Sequence, residues 1–191
     1  MSKEIDNYDN DLYKTELNFT KGDNVYIYGD VDETFPKNII VPFIELVQTK
    51  VKESNPTAIN IHISSPGGLV HYCFDLISWM EYAKKKGIVI NTYVTSTAYS
   101  AASVIAVVGT NRYVSRRAQL LIHFARGFDY SHNPEMTERN KQSFDFLQNE
   151  MIGVYTKYTK IKDIRKKLLA DNFYISGGQE LIKQGFADEL F

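Results

Sequence analysis

The sequence has a single cysteine, almost no net charge and no long apolar run, and each of these absences excludes a class of protein. Cys73 is alone among 191 residues, so no disulfide can form within the chain and we expect a reducing, cytoplasmic setting. The formal charge of −1 leaves no basic excess for binding a nucleic acid. The longest apolar run, Ala98 to Gly109, is interrupted by hydroxyl residues and falls short of the roughly 18 residues that span a bilayer. We therefore expect neither a nucleic acid nor a membrane as a partner.

The chain divides into a short polar arm and one domain. Residues 1–22 are charged, rich in Asn and Asp and poor in periodic apolar positions, which predicts a flexible N-terminal arm and argues against a signal peptide. Residues 23–191 show no repeat, no low-complexity tract and no linker, so we expect a single domain with its own core.

Alternating strand and helix patterns indicate an α/β fold. Strands are predicted at "NVYIYG", "AINIHIS", "IVINTYV", "RYVS" and "AQLLIHF", and helices at "KNIIVPFIELVQTKVKES", "LVHYCFDLISWMEYAKKKG" and "AASVIAVVGT". A strand, a turn, a helix and a further strand follow one another twice, so the strands should be parallel with helices packed on the sheet. A long polar helix is predicted over about residues 133–159, and the tail should end in a short helix over about 178–184 and a terminal strand.

A cluster of hydroxyl residues precedes the helix "AASVIAVVGT", and Ser100 is the one at the junction of strand and helix. At such a junction the serine hydroxyl stands beside the N–H of Ala101, which suits a nucleophile whose attacked carbonyl becomes an oxyanion. The alternative is an N-cap serine that satisfies the start of the helix. The stretch does not match the G-x-S-x-G elbow, because alanines occupy the glycine positions. Thr95, Thr97 and Ser103 are interpreted as turn and packing residues.

The turn "SSPGG" is a second candidate for function. Pro66 fixes one backbone dihedral, whereas Gly67 and Gly68 allow positive φ and the close approach of another chain. Backbone N–H groups of such a turn can point outward at a bound oxyanion. The alternative is an ordinary Pro-Gly turn without a function.

A serine nucleophile needs a base, and His123 is the best placed of four histidines. It ends the apolar strand "QLLIH", so a rigid element delivers one polar ring at its tip; the alternative is a hydrogen-bonded core histidine. Asp171 and Asn172 begin the tail segment "DNFY", interpreted as a turn, and either side chain can accept the imidazole N–H. No cluster of His, Cys and carboxylate residues has the spacing of a metal site, and there is no Walker-type loop.

Four motifs, in this order, resemble those of the proteolytic subunit of the Clp protease, ClpP. They are "SSPGG", "TSTAYSAAS" about thirty residues later, "LLIH" about twenty after that, and "DNFYISGGQELIKQGFADEL" at the end, so that the resemblance covers about residues 24–191. The resemblance implies that Ser100 is the nucleophile and His123 the general base. It also implies that the N–H groups of Gly68 and Ala101 form the oxyanion hole.

The resemblance leaves the third member of the triad open. Asp171 is the first choice, but the spacing of the tail differs by one residue, and counting backward from Ser176 gives Asn172 instead. Two further positions depart from the family pattern, because Ser96 and Tyr99 stand where the family usually has Gly and Ala. The turn that carries the nucleophile is therefore bulkier, and we expect an altered substrate pocket.

The resemblance also implies a fold and an assembly. The fold would be the ClpP/crotonase-like α/β fold of repeated ββα units, with the long helix as a protruding handle. The chain would form homo-oligomeric heptameric rings, stacked as a tetradecamer, that degrade unfolded polypeptides delivered by an AAA+ ATPase unfoldase and need no cofactor. Two alternatives stay open: a catalytically silent ClpP-like ring subunit with a structural or docking role, and a crotonase-type enzyme acting on an acyl thioester.

Overall fold

The computed structural model describes residues 17–124, 134–169 and 172–191. The described strands are β1 Asn18–Lys21, β2 Asn24–Ile27, β3 Ile59–Ser65, β4 Ile90–Tyr99, β5 Asn111–Val114, β6 Gln119–Ile122, β7 Phe173–Ser176 and β8 Glu189–Leu190. The described α-helices are α1 Val41–Lys50, α2 Val70–Lys85, α3 Ala101–Val107, α4 Pro134–Tyr158, α5 Ile164–Leu169 and α6 Gly178–Lys183. Within these ranges, no helix combines the length and the apolar character needed to cross a membrane.

The eight described strands form one mixed sheet with a parallel centre. The order is β1-β2-β3-β4-β5-β8, with β6 paired to β4 and β7 paired to β6; β1–β2 and β6–β7 are antiparallel and the other pairs are parallel. Strand β4 pairs with two neighbours in succession, because residues 91–94 lie beside β5 and residues 97–99 lie beside β6. The parallel α/β architecture predicted from the alternating patterns is confirmed.

Strand side chains alternate between the core and the opposite face of the sheet. On β3, Ile59, Ile61 and Ile63 are fully buried, whereas the residues between them are only half-buried. All seven residues of α3 are buried, because this short helix packs against β4, α2 and α4. The helix predicted as "AASVIAVVGT" therefore lies in the centre of the core and holds the end of β4 in place.

Three parts of the fold differ from the prediction. Asn18–Lys21, within the predicted arm, form β1, and the side chain of Asn18 binds it to the core by donating to Asp30 O (2.7 Å) and accepting from Gly29 N–H (2.9 Å). The segment "DNFY" was predicted as a turn, but Phe173–Ser176 form strand β7. Its alternation is weak, since only Ile175 is buried, and pairing with β6 makes it a strand. Helix α5 was not predicted at all.

Pro42 lies at the start of helix α1. A π-helical turn over Pro36–Ile40 leads into α1, and Pro42 occupies the first turn of that helix, where it has no N–H to donate to the preceding turn. The predicted arm lies outside the described residues as far as position 16, so its flexibility stays a prediction.

Candidate active site

Ser100 has the backbone conformation expected of a nucleophile on a sharp turn. Its φ of 53° and ψ of −125° lie in a region that L-residues rarely occupy, at a cost of roughly 1–3 kcal/mol. Two neighbours hold this conformation: the Ser100 N–H donates to Leu121 O on β6 (2.8 Å), and the first residue of α3 follows immediately. The sequence predicted only that Ser100 lies at a junction of strand and helix. The structure adds that its backbone is strained.

The glycine turn after β3 packs directly against the serine turn. Gly67 has a φ of 92°, and a Cβ placed on it would lie 2.4 Å from Tyr99 O and 2.9 Å from Ser100 Cβ. Gly68 has a φ of 144°, and a Cβ there would lie 2.3 Å from Val31 O. Both positions therefore require glycine, for conformation and for space. The two turns singled out in the sequence lie side by side in the structure.

The N–H of Gly68 points away from Val31, the residue that holds the glycine turn. Val31 N–H donates to Gly67 O (2.8 Å) and Leu69 N–H donates to Val31 O (2.7 Å), so Gly68 is the residue of a parallel bridge whose own polar groups face the other side. Ala101 is the first residue of α3, so its N–H has no partner within the helix. In the described part of the chain, neither N–H donates to another backbone or side-chain group.

His123 follows β6 at the same end of the sheet as Ser100. The β4–β6 register, extended by one pair beyond Tyr99 and Leu121, places Ser100 opposite Ile122, next to His123. The Nδ1 atom of His123 lies 2.5 Å from the carbonyl oxygen of Phe124. A carbonyl only accepts, so Nδ1 carries the proton and Nε2 is left as an acceptor, which is the tautomer a general base needs. Among the described residues, the His123 ring makes no hydrogen bond with the Ser100 hydroxyl.

The third member predicted for the triad depends on β7. In the antiparallel β6–β7 pair, Leu121 is opposite Tyr174 and Ile122 is opposite Phe173, so extending the register by one pair places His123 opposite Asn172. Asn172 is half-buried. Asp171 lies outside the described residues, so its predicted role is not tested.

Tyr99, the residue before the serine, packs against a tyrosine of another strand. Its hydroxyl donates to Gln119 Oε1 (2.7 Å), and its ring meets that of Tyr174 edge to face, with 6.2 Å between centroids. The strand registers place Leu121 between the two tyrosines. The bulky side chain predicted for the nucleophile turn is therefore part of a row of three large side chains, one each on β4, β6 and β7.

The helix that follows Ser100 is held by two residues from other elements. Ser103 Oγ donates to Ser100 O (2.6 Å) and also contacts the Tyr155 hydroxyl (2.7 Å), so α4 reaches the serine turn. Cys73 Sγ on α2 contacts Ala101 O (3.2 Å), and burial raises the pKa of this thiol, so Cys73 is a structural residue. Sequence reasoning missed Tyr155, since its spacing is that of any buried residue on an amphipathic helix.

The fold and the site define an α/β protein that presents a strained serine beside a glycine turn and two backbone N–H groups. A sequence model of the Clp protease family matches residues 7–191, nearly the whole chain, and the protein belongs to that family. Its fold is the ClpP/crotonase-like α/β fold, as the four motifs implied. Membership makes it a ClpP-type protein of a family of serine peptidases.

Proposed function

We propose that the protein is a serine endopeptidase that cleaves unfolded polypeptides inside a self-compartmentalised ring. The observation that carries this proposal is the strained backbone of Ser100, beside a glycine turn that would not accept any side chain. Strain of this kind persists where the surrounding structure over-determines it, and it is concentrated at functional sites. Membership of the Clp protease family supports the same reaction class.

The geometry supports an acyl-transfer sequence in which His123 and Ser100 act together. His123 Nε2 takes the proton of the Ser100 hydroxyl while Ser100 Oγ bonds to the carbonyl carbon of the peptide. The oxyanion of the tetrahedral intermediate accepts hydrogen bonds from the N–H groups of Gly68 and Ala101. His123 then protonates the leaving amine, and water, activated by the same ring, hydrolyses the acyl-enzyme.

We assign the third position of the triad to Asn172 rather than Asp171. The β6–β7 register supports this choice, because it brings position 172 opposite His123. An amide oxygen can accept the Nδ1 proton and orient the ring, as the Phe124 carbonyl does in this structure. An amide stabilises the imidazolium less than a carboxylate does, so the triad would be a weaker version of the Ser-His-Asp arrangement.

The proposed assembly is a pair of stacked heptameric rings fed by an AAA+ ATPase unfoldase. Family membership supports a ring that works with a Clp ATPase. The 25-residue helix α4 supports a contact between subunits, because Phe146 on this helix is 62% exposed. A closed chamber would explain how such a site acts only on unfolded chains.

The first test replaces the nucleophile. Ser100→Ala should reduce cleavage of an unfolded protein at least about a thousandfold and abolish labelling by a fluorophosphonate, since both need the hydroxyl. Ser78→Ala is the matched control, because Ser78 is an exposed serine on helix α2 whose hydroxyl donates to Phe74 O (2.8 Å), and it should label like the wild type. Labelling of Ser100→Ala at the wild-type rate would show that Ser100 is not the nucleophile.

One observation favours a catalytically silent ring subunit as the second candidate. The described structure shows His123 hydrogen-bonded to Phe124 O and not to the serine hydroxyl, and the bulky Tyr99 directly before Ser100 packs against Tyr174. Native mass measurement and fluorophosphonate labelling of the same sample separate the two candidates. Assembled rings that neither label nor cleave peptide would establish the silent subunit.

A further inference from the structure

A buried pair of hydroxyl groups joins helix α4 to the serine turn. Ser103 Oγ lies 2.6 Å from Ser100 O and 2.7 Å from Tyr155 Oη, and the Ser103 N–H donates to the same carbonyl over 3.0 Å. Both Ser103 and Tyr155 are fully buried. They are 52 positions apart in the sequence, so the contact exists only because α4 packs on α3.

The direction of each hydrogen bond follows from the donors available. The Ser100 carbonyl only accepts, so the single proton of the Ser103 hydroxyl points at it, and the Tyr155 hydroxyl must donate to Ser103 Oγ. Burial raises the pKa of the Tyr155 phenol, so this group keeps the proton that the arrangement requires. The Tyr155 hydroxyl therefore donates to Ser103 Oγ, and the Ser103 hydroxyl donates to Ser100 O.

The carbonyl at the end of this chain belongs to a peptide unit with a functional N–H. Ser100 C=O and Ala101 N–H are the two ends of one planar trans peptide, so a restraint on the oxygen also orients the hydrogen. That N–H is one of the two proposed oxyanion donors. Ser100 is strained at this peptide, and two hydrogen bonds on its carbonyl are a restraint that keeps the strained form in place.

We propose that Tyr155 and Ser103 are positioning residues that hold the Ser100–Ala101 peptide plane with its N–H aimed at the oxyanion. The inference rests on the proposed function and deepens it. Neither residue touches the reacting atoms. Their effect is on a donor that is needed in the transition state, so losing them should change kcat and leave KM unaltered.

The test is a double-mutant cycle with a control on the same helix. Tyr155→Phe removes one hydroxyl and keeps the ring, Ser103→Ala removes the intermediate group, and the double variant removes both. Tyr158→Phe is the control, because Tyr158 lies on the same helix and donates to Glu81 Oε1 (2.8 Å), away from the serine turn. For each variant we would measure kcat and KM on an unstructured peptide, and amide hydrogen exchange of peptides covering residues 99–107.

Tyr155→Phe should lower kcat about tenfold at unchanged KM and speed exchange in the serine turn, whereas Tyr158→Phe should match the wild type in both. In the Ser103→Ala background, Tyr155→Phe should have no further effect, since the path is already broken. Wild-type kcat and exchange in Tyr155→Phe would overturn the proposal. An equal loss with and without the Ser103 hydroxyl would also overturn it, because Tyr155 would then act by another route.

Hydrogen exchange keeps this inference separate from the proposed function. If the wild-type protein neither cleaves nor labels, the peptidase proposal fails, and the exchange measurement alone decides the role of the pair. Faster exchange of the turn in Tyr155→Phe, but not in Tyr158→Phe, supports the positioning role. Identical exchange in the two variants would contradict the positioning role of Tyr155.

Discussion

Ser100 and Gly67 illustrate how two unusual residues constrain each other. Gly67 approaches the serine turn so closely that any side chain would meet Tyr99 O, and Ser100 accepts a positive φ while its N–H is bonded across to β6. The strain at the serine is therefore maintained by these backbone contacts together with the hydrogen bonds that Ser103 makes to Ser100 O.

At the same scale, the identity of the third triad residue can be tested directly. Asn172→Asp should raise kcat on an unstructured peptide by roughly tenfold or more, because a carboxylate stabilises the imidazolium better than an amide. Asp171→Asn is the paired variant and should leave kcat unchanged, since the β6–β7 register favours Asn172 as the partner of His123. The reverse result, a loss in Asp171→Asn and no gain in Asn172→Asp, would return the role to Asp171.

At the scale of elements, four central strands share a row of stacked rings on the face of the sheet away from the core. Tyr26, His62, Tyr93 and Tyr113 stack in succession, with 4.9, 5.1 and 4.8 Å between ring centroids. Two residues earlier on each strand, a row of asparagines joined by side-chain hydrogen bonds runs parallel to the rings: Asn24, Asn60, Asn91 and Asn111. The parallel register places like positions side by side, which is why both rows are continuous.

We expect the histidine in this row to make the stability of the protein depend on pH. Desolvation lowers the pKa of His62, so below about pH 6.5 the unfolded chain binds a proton that the folded chain does not, and the free energy of unfolding falls. His62→Phe keeps a ring in the stack but cannot titrate. Its Tm should fall less than that of the wild type between pH 7.5 and pH 5.5.

Tyr113→Phe is the control for that measurement, because it changes a ring of the same row without removing an imidazole, and it should keep the wild-type pH dependence. Equal slopes of Tm against pH for the wild type and His62→Phe would show that His62 does not contribute.

At the scale of the whole molecule, Arg112 connects three distant parts of the chain. Its guanidinium binds both carboxylate oxygens of Asp188 and donates to the carbonyls of Tyr158 and Gly185. The strand β5, the end of α4 and the turn before β8 are thus held by one side chain that is only 16% exposed. The Arg112 hydrogen bond holds the pKa of Asp188 below its usual range.

Removing the charge of Asp188 should therefore destabilise the fold. Asp188→Asn should lower the free energy of unfolding by about 1 kcal/mol and Tm by roughly 2–4 °C, after allowing for solvent screening of a half-exposed carboxylate. Glu180→Gln is the control, because Glu180 meets Lys183 at 3.7 Å with both side chains exposed, and it should not change Tm measurably. The loss on Asp188→Asn should shrink as pH falls, since the wild-type carboxylate is then protonated and its contribution disappears.

Local pattern predicted most of the fold and the two turns that lie side by side at the candidate site. The strands and helices that surround "SSPGG" and Ser100 follow from short-range periodicity, so their order and the positions of these two turns were predictable. Strand β7 was not, because its few buried positions make a weak pattern and its pairing with β6 supplies the stability. Helix α5 and β1 were missed for a similar reason, as both are short elements supported by contacts with the rest of the chain.

The sequence by itself determined the family, the parallel α/β architecture and the candidates Ser100, His123 and Gly68, because these are encoded in short motifs and their order. Only the tertiary structure decided which tail residue lies opposite His123 and that Tyr155 reaches the serine turn through Ser103. The physical reason is that strand register and helix packing bring together residues distant in sequence. Neither the register nor the packing can be predicted from the local pattern of apolar and polar residues.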